Sequence, residues 1–335
     1  MRKGTWRKWL GVLLAMCMLT LTACGAAETA DGQVQEQVTV RVGSLKGPTS
    51  IGLVRLMEQS TNGETSNTYE FTMETAADAL LGKMMQGELD IALVPANVAS
   101  VLYHKTEGGI SVIDINTLGV IYMVSADTSI DSMDDLVGKT VYLTGKGTTP
   151  DFALQYLLSA NGISVDDVTL EYKSEATEVA AVLAENPDAV GLLPQPFVTA
   201  ATKQNEALSV VLDLTEQWNL VQGEGGSTLV TGVTIVRNDF LAEHEAAVQA
   251  FLADHKASAE YANTETAATA ELVVAQGIIE KAPVAEAAIP FCNIVYMDGE
   301  AMKEALSGYL KVLEEQNAEF IGGSVPEDGF YYIAK

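Results

Sequence analysis

Positive charge is scarce in this sequence. Its 19 lysines and arginines stand against 45 aspartates and glutamates, a formal net charge of −26. Proteins that bind nucleic acid need basic patches to neutralise phosphates, so that class is excluded. Adhesion to an anionic lipid surface is excluded on the same ground. Histidine is scarcer still, at His104, His244 and His255. The last two are expected on one helix over 240–262, eleven residues or about 16 Å apart, too far to share a metal. The three cysteines, Cys17, Cys24 and Cys292, lack the paired spacing of a structural zinc site. No Gly-x-Ser-x-Gly elbow is present. The paired acids Asp134-Asp135, Asp166-Asp167 and Glu314-Glu315 fall in expected loops or on exposed helix faces and read as solvated charge. No catalytic set, metal or cofactor is therefore expected. Long apolar runs are also missing beyond residue 21, and the run before it falls short of the about 20 residues of a comfortable span.

What is present begins with Arg2, Lys3, Arg7 and Lys8, an apolar run over 9–21, and then Leu21-Thr22-Ala23-Cys24-Gly25. This is the layout of a secretory signal. Its end is similar to the bacterial lipoprotein signal, with cleavage before Cys24 and lipid on its sulfur. An ordinary signal peptide or an N-terminal membrane anchor is the alternative. The expected organisation is a signal peptide over 1–23 and a polar tether over 24–37. The body would touch the membrane only through its lipid, at the extracytoplasmic face of the cell membrane. About 310 residues then remain, enough for two domains of ordinary size. Cys292, beside an apolar strand, is expected as a buried free thiol.

The rest of the chain reads as α/β. Short β-branched runs over 38–42, 69–73 and 90–94 alternate with apolar-periodic stretches over 51–59, 76–86 and 98–105. Residues 110–125 are apolar and β-rich, enough for two strands or one long crossover. A second unit follows: strands over 140–143, 168–172 and 189–193, helices over 151–159, 175–184 and 197–204, and a strand over 208–212. Trp218 lies in a short helical or loop segment. Residues 228–236 are a second β-branched candidate crossover, followed by helices over 240–262, 266–280 and 299–316, a strand over 293–296 and an aromatic, loop-like tail. Two crossovers imply two lobes, 38–122 with 232–335 and 123–231, and a cleft between them.

One stretch organises this pattern: Thr144-Gly145-Lys146-Gly147-Thr148-Thr149-Pro150-Asp151, between a strand and a helix. Two glycines permit unusual backbone angles and close approach of a ligand. Thr148 or Thr149 can cap the helix, and Pro150 suits its first turn. The free N–H groups at the helix start favour an anionic or electron-rich group. It is not a Walker A loop, because Gly147 follows Lys146 where Ser or Thr belongs. A tight, well-capped loop with a solvated lysine is the plain alternative. Strands of open α/β sheets present ligands at their carboxyl ends. The loops 44–50, 95–97, 144–150, 173–176 and 194–196 all follow strands and can face one cleft.

The run Ile130-Asp131-Ser132-Met133-Asp134-Asp135-Leu136-Val137-Gly138-Lys139-Thr140-Val141, with Gly145-Lys146-Gly147-Thr148-Thr149-Pro150, resembles the start of the second lobe in solute-binding proteins of ABC importers. Asn161-Gly162-Ile163, Asp166-Asp167-Val168 and Leu193-Pro194-Gln195-Pro196-Phe197 continue the resemblance. The branch is the nitrate/sulfonate/taurine and thiamine-precursor (NMT1/THI5-like) type. The resemblance covers 38–335. It implies a two-lobe, type II periplasmic-binding-protein-like fold with two hinge strands, closure on a small solute, and an ABC permease and its ATPase as partners of a monomer. By position, the expected ligand contacts are Lys46, Gly47, Pro48, Thr49, Ala96 and Asn97 from the first lobe. From the second they are Lys146, Gly147, Thr148, Thr149 and Gln195. Asn97 opens a helix and can instead cap it. Two cleft lysines in so acidic a chain point to an anionic group on the ligand. Two other readings stand beside this one. A sensory or assembly lipoprotein would bind a protein partner. Pyrimidine-precursor synthases of similar topology use a cysteine-rich iron-binding segment, which this chain lacks.

Overall fold

Alternation puts Val40 and Val42 on the buried side of β1 (Thr39–Leu45), whose neighbours β2 (Thr68–Glu74) and β3 (Ile91–Pro95) run parallel to it. The computed structural model describes residues 38–334. The expected signal peptide over 1–23, Cys24 and the tether over 24–37 lie outside the described residues. Gln37–Lys335 forms one compact unit.

Helices α1 (Pro48–Ile51), α2 (Val54–Thr61), α3 (Ala77–Met85) and α4 (Ala96–Lys105) connect the first strands. Then come β4 (Ile110–Leu118) and β5 (Ile121–Ser125), β6 (Thr140–Leu143), α5 (Thr149–Ala160), β7 (Thr169–Tyr172), α6 (Ala176–Glu185), β8 (Val190–Pro194), α7 (Phe197–Gln204), β9 (Ser209–Asp213) and α8 (Leu214–Gln222). The chain closes with β10 (Val230–Arg237), α9 (Asn238–Glu243), α10 (Glu245–Thr264), α11 (Thr266–Ala275), α12 (Ala282–Ala288), β11 (Ile294–Met297) and α13 (Gly299–Gln316).

The strands form two sheets of one design. The first has the order β2-β1-β3-β10-β4-β11, the second β7-β6-β8-β5-β9. In each, three parallel strands are followed by one antiparallel strand, β10 against β3 and β5 against β8. The central strands β3 and β8 are buried over four consecutive residues each, as strands covered on both faces must be. Residues 110–125 are two strands, one in each sheet, and the chain changes sheet at Gly119-Val120. It returns ahead of β10. Both passages fall just before the boundaries expected at 122/123 and 231/232.

Gly119 is required at the first passage: a Cβ there would lie 2.2 Å from Thr215 Oγ1. Asn293, at a left-handed φ of 47°, donates from Nδ2 to the Gly119 carbonyl at 2.9 Å. Asn tolerates that conformation because its short polar side chain bonds locally.

Several helices differ from expectation. The stretch over 51–59 divides into α1 and α2, the first begun by Pro48 and ended at Gly52. The helix over 240–262 breaks at His244, whose φ and ψ of −132° and 41° are not helical. His244 and His255 therefore do not share one helix. The helix over 266–280 stops at Ala275, ahead of Gly277 at φ +67°. Helix α12 was not expected, although Pro283 in its first turn is an ordinary helix-start signal. Trp218 lies in α8, fully buried. Helix α12 packs on α7, so the closing helices touch both sheets' layers. Cys292 is a free, fully buried thiol in that contact, and burial pushes its pKa up. Among the described residues no helix is long and apolar enough to cross a membrane.

Candidate functional site

A cavity of about 330 Å³ lies at the carboxyl ends of the parallel strands of both sheets. From the first sheet it takes Leu45–Thr49 after β1, Thr75–Asp78 after β2, and Pro95 at the end of β3. From the second it takes 144–146 and 148–150 after β6, 174–177 after β7, and Pro194 with Phe197 after β8. Ile121 and Thr231, at the starts of β5 and β10, complete it. Each parallel strand of one sheet thus has a counterpart in the other that lines the same space.

The glycine loop is built from inside lobe two. Gly145 has φ +72°, and a Cβ on it would stand 2.5 Å from Thr148 Oγ1. That hydroxyl donates to the Gly145 carbonyl at 2.6 Å. It does not cap α5, and no side chain does so from the Thr148 position. The expected threonine cap is corrected here: the anchoring oxygen belongs to Asp151. Its Oδ2 accepts the Gly147 N–H at 2.8 Å, and its Oδ1 accepts Gln155 Nε2 at 2.6 Å and the Tyr172 hydroxyl at 2.7 Å. Asp151 is 3 % exposed. Burial first, then Asp151, push the Tyr172 phenol up, so it stays a donor. Glu178 repeats this arrangement on α6, where its carboxylate accepts the Ser174 N–H at 2.8 Å. Pro150 occupies the first turn of α5 as expected.

Six helices, α1, α3, α4, α5, α6 and α7, begin after strands at this end, and none is capped by the side chain of its own N-cap residue, although Gln195 bonds the Thr199 N–H in the first turn of α7. The first-turn amides of Ser50, Ala79, Glu178 and Thr199 are already bonded, and those left free lie at the positive end of each dipole. Lys46 and Lys146 are exposed and line the cavity, as are Asp78 and Glu175. Lys146 Nζ lies 5.2 Å from the Tyr172 ring centroid, within cation–π range. These four side-chain charges balance, so they give the cavity no net charge. Phe197 is the one aromatic among the lining residues.

Of the residues expected at the ligand, the cavity brings together Lys46, Gly47, Pro48, Thr49, Lys146, Thr148 and Thr149. Thr149 is fully buried, with Oγ1 3.4 Å from the Thr231 carbonyl across the cleft. Ala96, Asn97, Gly147 and Gln195 are not among the lining residues. Ala96 is fully buried in the core. Gln195 is 4 % exposed, and its Oε1 accepts the Thr199 N–H and hydroxyl, closing the start of α7. Gly147, at φ +74°, turns its N–H to Asp151 and its carbonyl to Asn97.

The model of the family described as NMT1/THI5 like matches residues 84–266, more than half of the chain. The chain belongs to the NMT1/THI5-like family. No curated protein matches it. An ABC transporter structure from Parabacteroides distasonis is similar at 21 % identity and TM-score 0.73, over 89 % of this chain and 100 % of that one. The periplasmic aliphatic sulphonate binding protein SsuA from Escherichia coli is similar at 14 % identity and TM-score 0.72, over 89 % and 92 %. The periplasmic nitrate-binding protein NrtA from Synechocystis PCC 6803 is similar at 12 % identity and TM-score 0.56, over 71 % and 66 %. These likenesses show the two-lobe periplasmic-binding-protein fold.

In this NMT1/THI5-like chain, sequence reasoning missed the loop Thr75–Asp78. The signal was available: a strand ending at Glu74, then Thr75 and a helical period, as at the other five loops. Ile121 and Thr231 were missed because both sit on strands, where pattern reading expects packing. His255 is a core residue, its Nδ1 3.2 Å from the buried Asp114 carboxylate, which also accepts the Thr234 hydroxyl at 2.8 Å. Among the described residues no group of three or more His, Cys, Asp or Glu could hold a metal.

Proposed function

We propose that this protein is the extracytoplasmic solute-binding component of an ABC importer, held at the cell membrane as a monomer by lipid on Cys24. The two lobes, which exchange the chain at Gly119-Val120 and ahead of β10 rather than at 122/123 and 231/232, close on a small organic solute and deliver it to a permease driven by a cytoplasmic ATPase. The observation that carries this reading is the single cavity to which both lobes contribute matching strand-end loops. Capture and release need only different affinities in open and closed states, not covalent chemistry.

Lys46, Gly47, Pro48, Thr49, Lys146, Thr148 and Thr149 contact the solute on this reading. Lys46 and Lys146 can each pair with an anionic group, and the free amides at the helix starts favour one, while Asp78 and Glu175 offset the net charge of the lysines. The similar structures that bind aliphatic sulphonate and nitrate agree with that charge. Walls of Leu45, Pro48, Pro95, Ile121, Pro150 and Pro194 favour a compact apolar body beside it. A thermal-shift screen of sulfonates, nitrate, taurine, pyrimidines, riboflavin and short carboxylates tests the proposal. A solute at 100 times its dissociation constant stabilises by about 2.7 kcal/mol. The effect should vanish with Thr149→Ala or Lys146→Ala. No shift across the panel, with no co-purified small molecule in native mass spectrometry, would instead favour a protein partner.

A further inference from the structure

Asn97 stands outside the cavity, yet it holds the two lobes together. It lies in the first turn of α4, 1 % exposed. Its Nδ2 donates to the Gly147 carbonyl of the second lobe at 3.1 Å and to the Phe320 carbonyl of the first lobe's C-terminal segment at 3.2 Å. Its Oδ1 is buried and has no partner. The segment it touches is tied to the same helix by Ser100, whose hydroxyl donates to the Ile321 carbonyl at 2.6 Å. From that segment the Phe320 ring reaches across and stacks on Phe152 of α5, with centroids 3.8 Å apart and planes at 12°.

Opening the cleft must break the bond to Gly147 and the ring stack, while the bonds to Phe320 and Ile321 stay within one lobe. Gly147 cannot follow Asn97 by itself, because Asp151 holds its N–H and Thr148 closes the turn behind it. The same loop presents Lys146 and Thr148 to the cavity. We infer that Asn97, with the Phe152–Phe320 stack, is a latch that stabilises the closed arrangement of the lobes and acts on binding through lobe position, not through contact with the solute.

The inference rests on the reading that the lobes move as bodies, but its test needs no solute. Gln37–Lys335, refolded from denaturant to strip any bound molecule, would carry spin labels at Met85→Cys on α3 and Ala181→Cys on α6. Both sites are exposed and on opposite lobes, and Cys292 is buried. Asn97→Asp sets a carboxylate against two carbonyl oxygens. It should add a longer-distance population and raise the open-to-closed ratio about tenfold, the scale of one hydrogen bond. Phe320→Leu keeps apolar bulk but loses the stack, and should raise it about threefold. It carries the test if Asn97→Asp does not fold. Distances unchanged from the parent in both variants, or a lower melting temperature without a change in distance, would overturn the latch. A silent solute screen would leave this result standing, and a failed latch would leave the screen standing.

Discussion

Replacing Asp151 by alanine should loosen the loop on which the second lobe's half of the cavity depends. Asp151 is 3 % exposed and accepts three hydrogen bonds of 2.6–2.8 Å, from Gly147, Gln155 and Tyr172. A hydrogen bond to a charged group contributes about 1.5–3 kcal/mol net. The three do not simply add, because Gly147 is exposed and Gln155 and Tyr172 half-buried, so water can replace part of what is lost. The expected loss is therefore about 3 kcal/mol, or a fall of roughly 5 °C in melting temperature for a chain of this size. Asp151→Asn keeps the shape but turns one acceptor into a donor facing donors, and should recover little of it. Tyr172→Phe removes one of the three bonds and should cost about 1 kcal/mol. Combined with Asp151→Ala it should add almost nothing, since its partner is already gone. Melting by circular dichroism reads the first effect, and amide exchange at Gly147 and Thr148 reads the loop directly. If Asp151→Ala melts within about 1 °C of the parent, as an exposed substitution does, the loop is held by something other than this carboxylate.

Three further outcomes are expected. Asp90→Ala should destabilise by about 2–3 kcal/mol, because this carboxylate, 1 % exposed, takes Arg41 N–H, Nε and Nη2 and Arg237 Nη2, while the guanidinium groups it frees can reach water. It sits at the strand ends opposite the cavity, so affinity for any solute found should stay unchanged; a large affinity loss would refute that separation. Gly119→Ala should lose about 1–3 kcal/mol by overpacking against Thr215. Thr215→Ala should restore part of this in the double variant, and an additive pair would contradict the clash. At alkaline pH, burial pushes Tyr122 from 10.0 up to about 12 and raises Tyr69, Tyr172, Tyr296, Tyr309 and Tyr331 as well. Stability held by the protonated phenols is complete below pH 10 and is lost as pH rises through about 12. Phenolate absorbance from these residues should appear together with unfolding. Their titration near pH 10 in a still-folded protein would count against the burial.

Strand-end loops were legible because each lies between a β-branched run and a helical period, with Gly or Pro as punctuation in 44–50, 95–97, 144–150 and 194–196. The loops 44–50, 95–97, 144–150, 173–176 and 194–196 are therefore expected to face one cleft, and each supplies at least one residue lining the cavity. Side-chain direction was not legible. Asn97 and Gln195 occupy the expected junctions, but direction changes by about 100° per position inside a helix such as the one that holds Asn97, and Gln195, just ahead of α7, folds back over its first turn. Asn97 thus turns toward the other lobe, and Gln195 toward Thr199. The helix over Ala282–Ala288 is buried by packing on α7, a tertiary term that a window of sequence does not contain.

The two lobes share strand order but tie down their first loops differently, in each case with the chain's own side chains. In the first lobe the hydroxyls of Thr49 and Ser50 donate to the Leu45 carbonyl at 3.0 and 2.6 Å, and Ser44 and Ser50 bond each other at 2.6 Å. In the second, Asp151 and Thr148 do this work with a carboxylate and a hydroxyl. Neither loop has to be ordered by a solute. Pre-set loops spare a binding site the entropy of freezing a backbone, about 1–2 kcal/mol per residue. What remains free is the relation between the lobes, with Gly119 and Asn293 at one passage and Asn97 with Phe320 at the cleft wall. On the proposed function, affinity is then governed by how far closure is already favoured without solute. Residues that never touch the solute can set it as strongly as those that do.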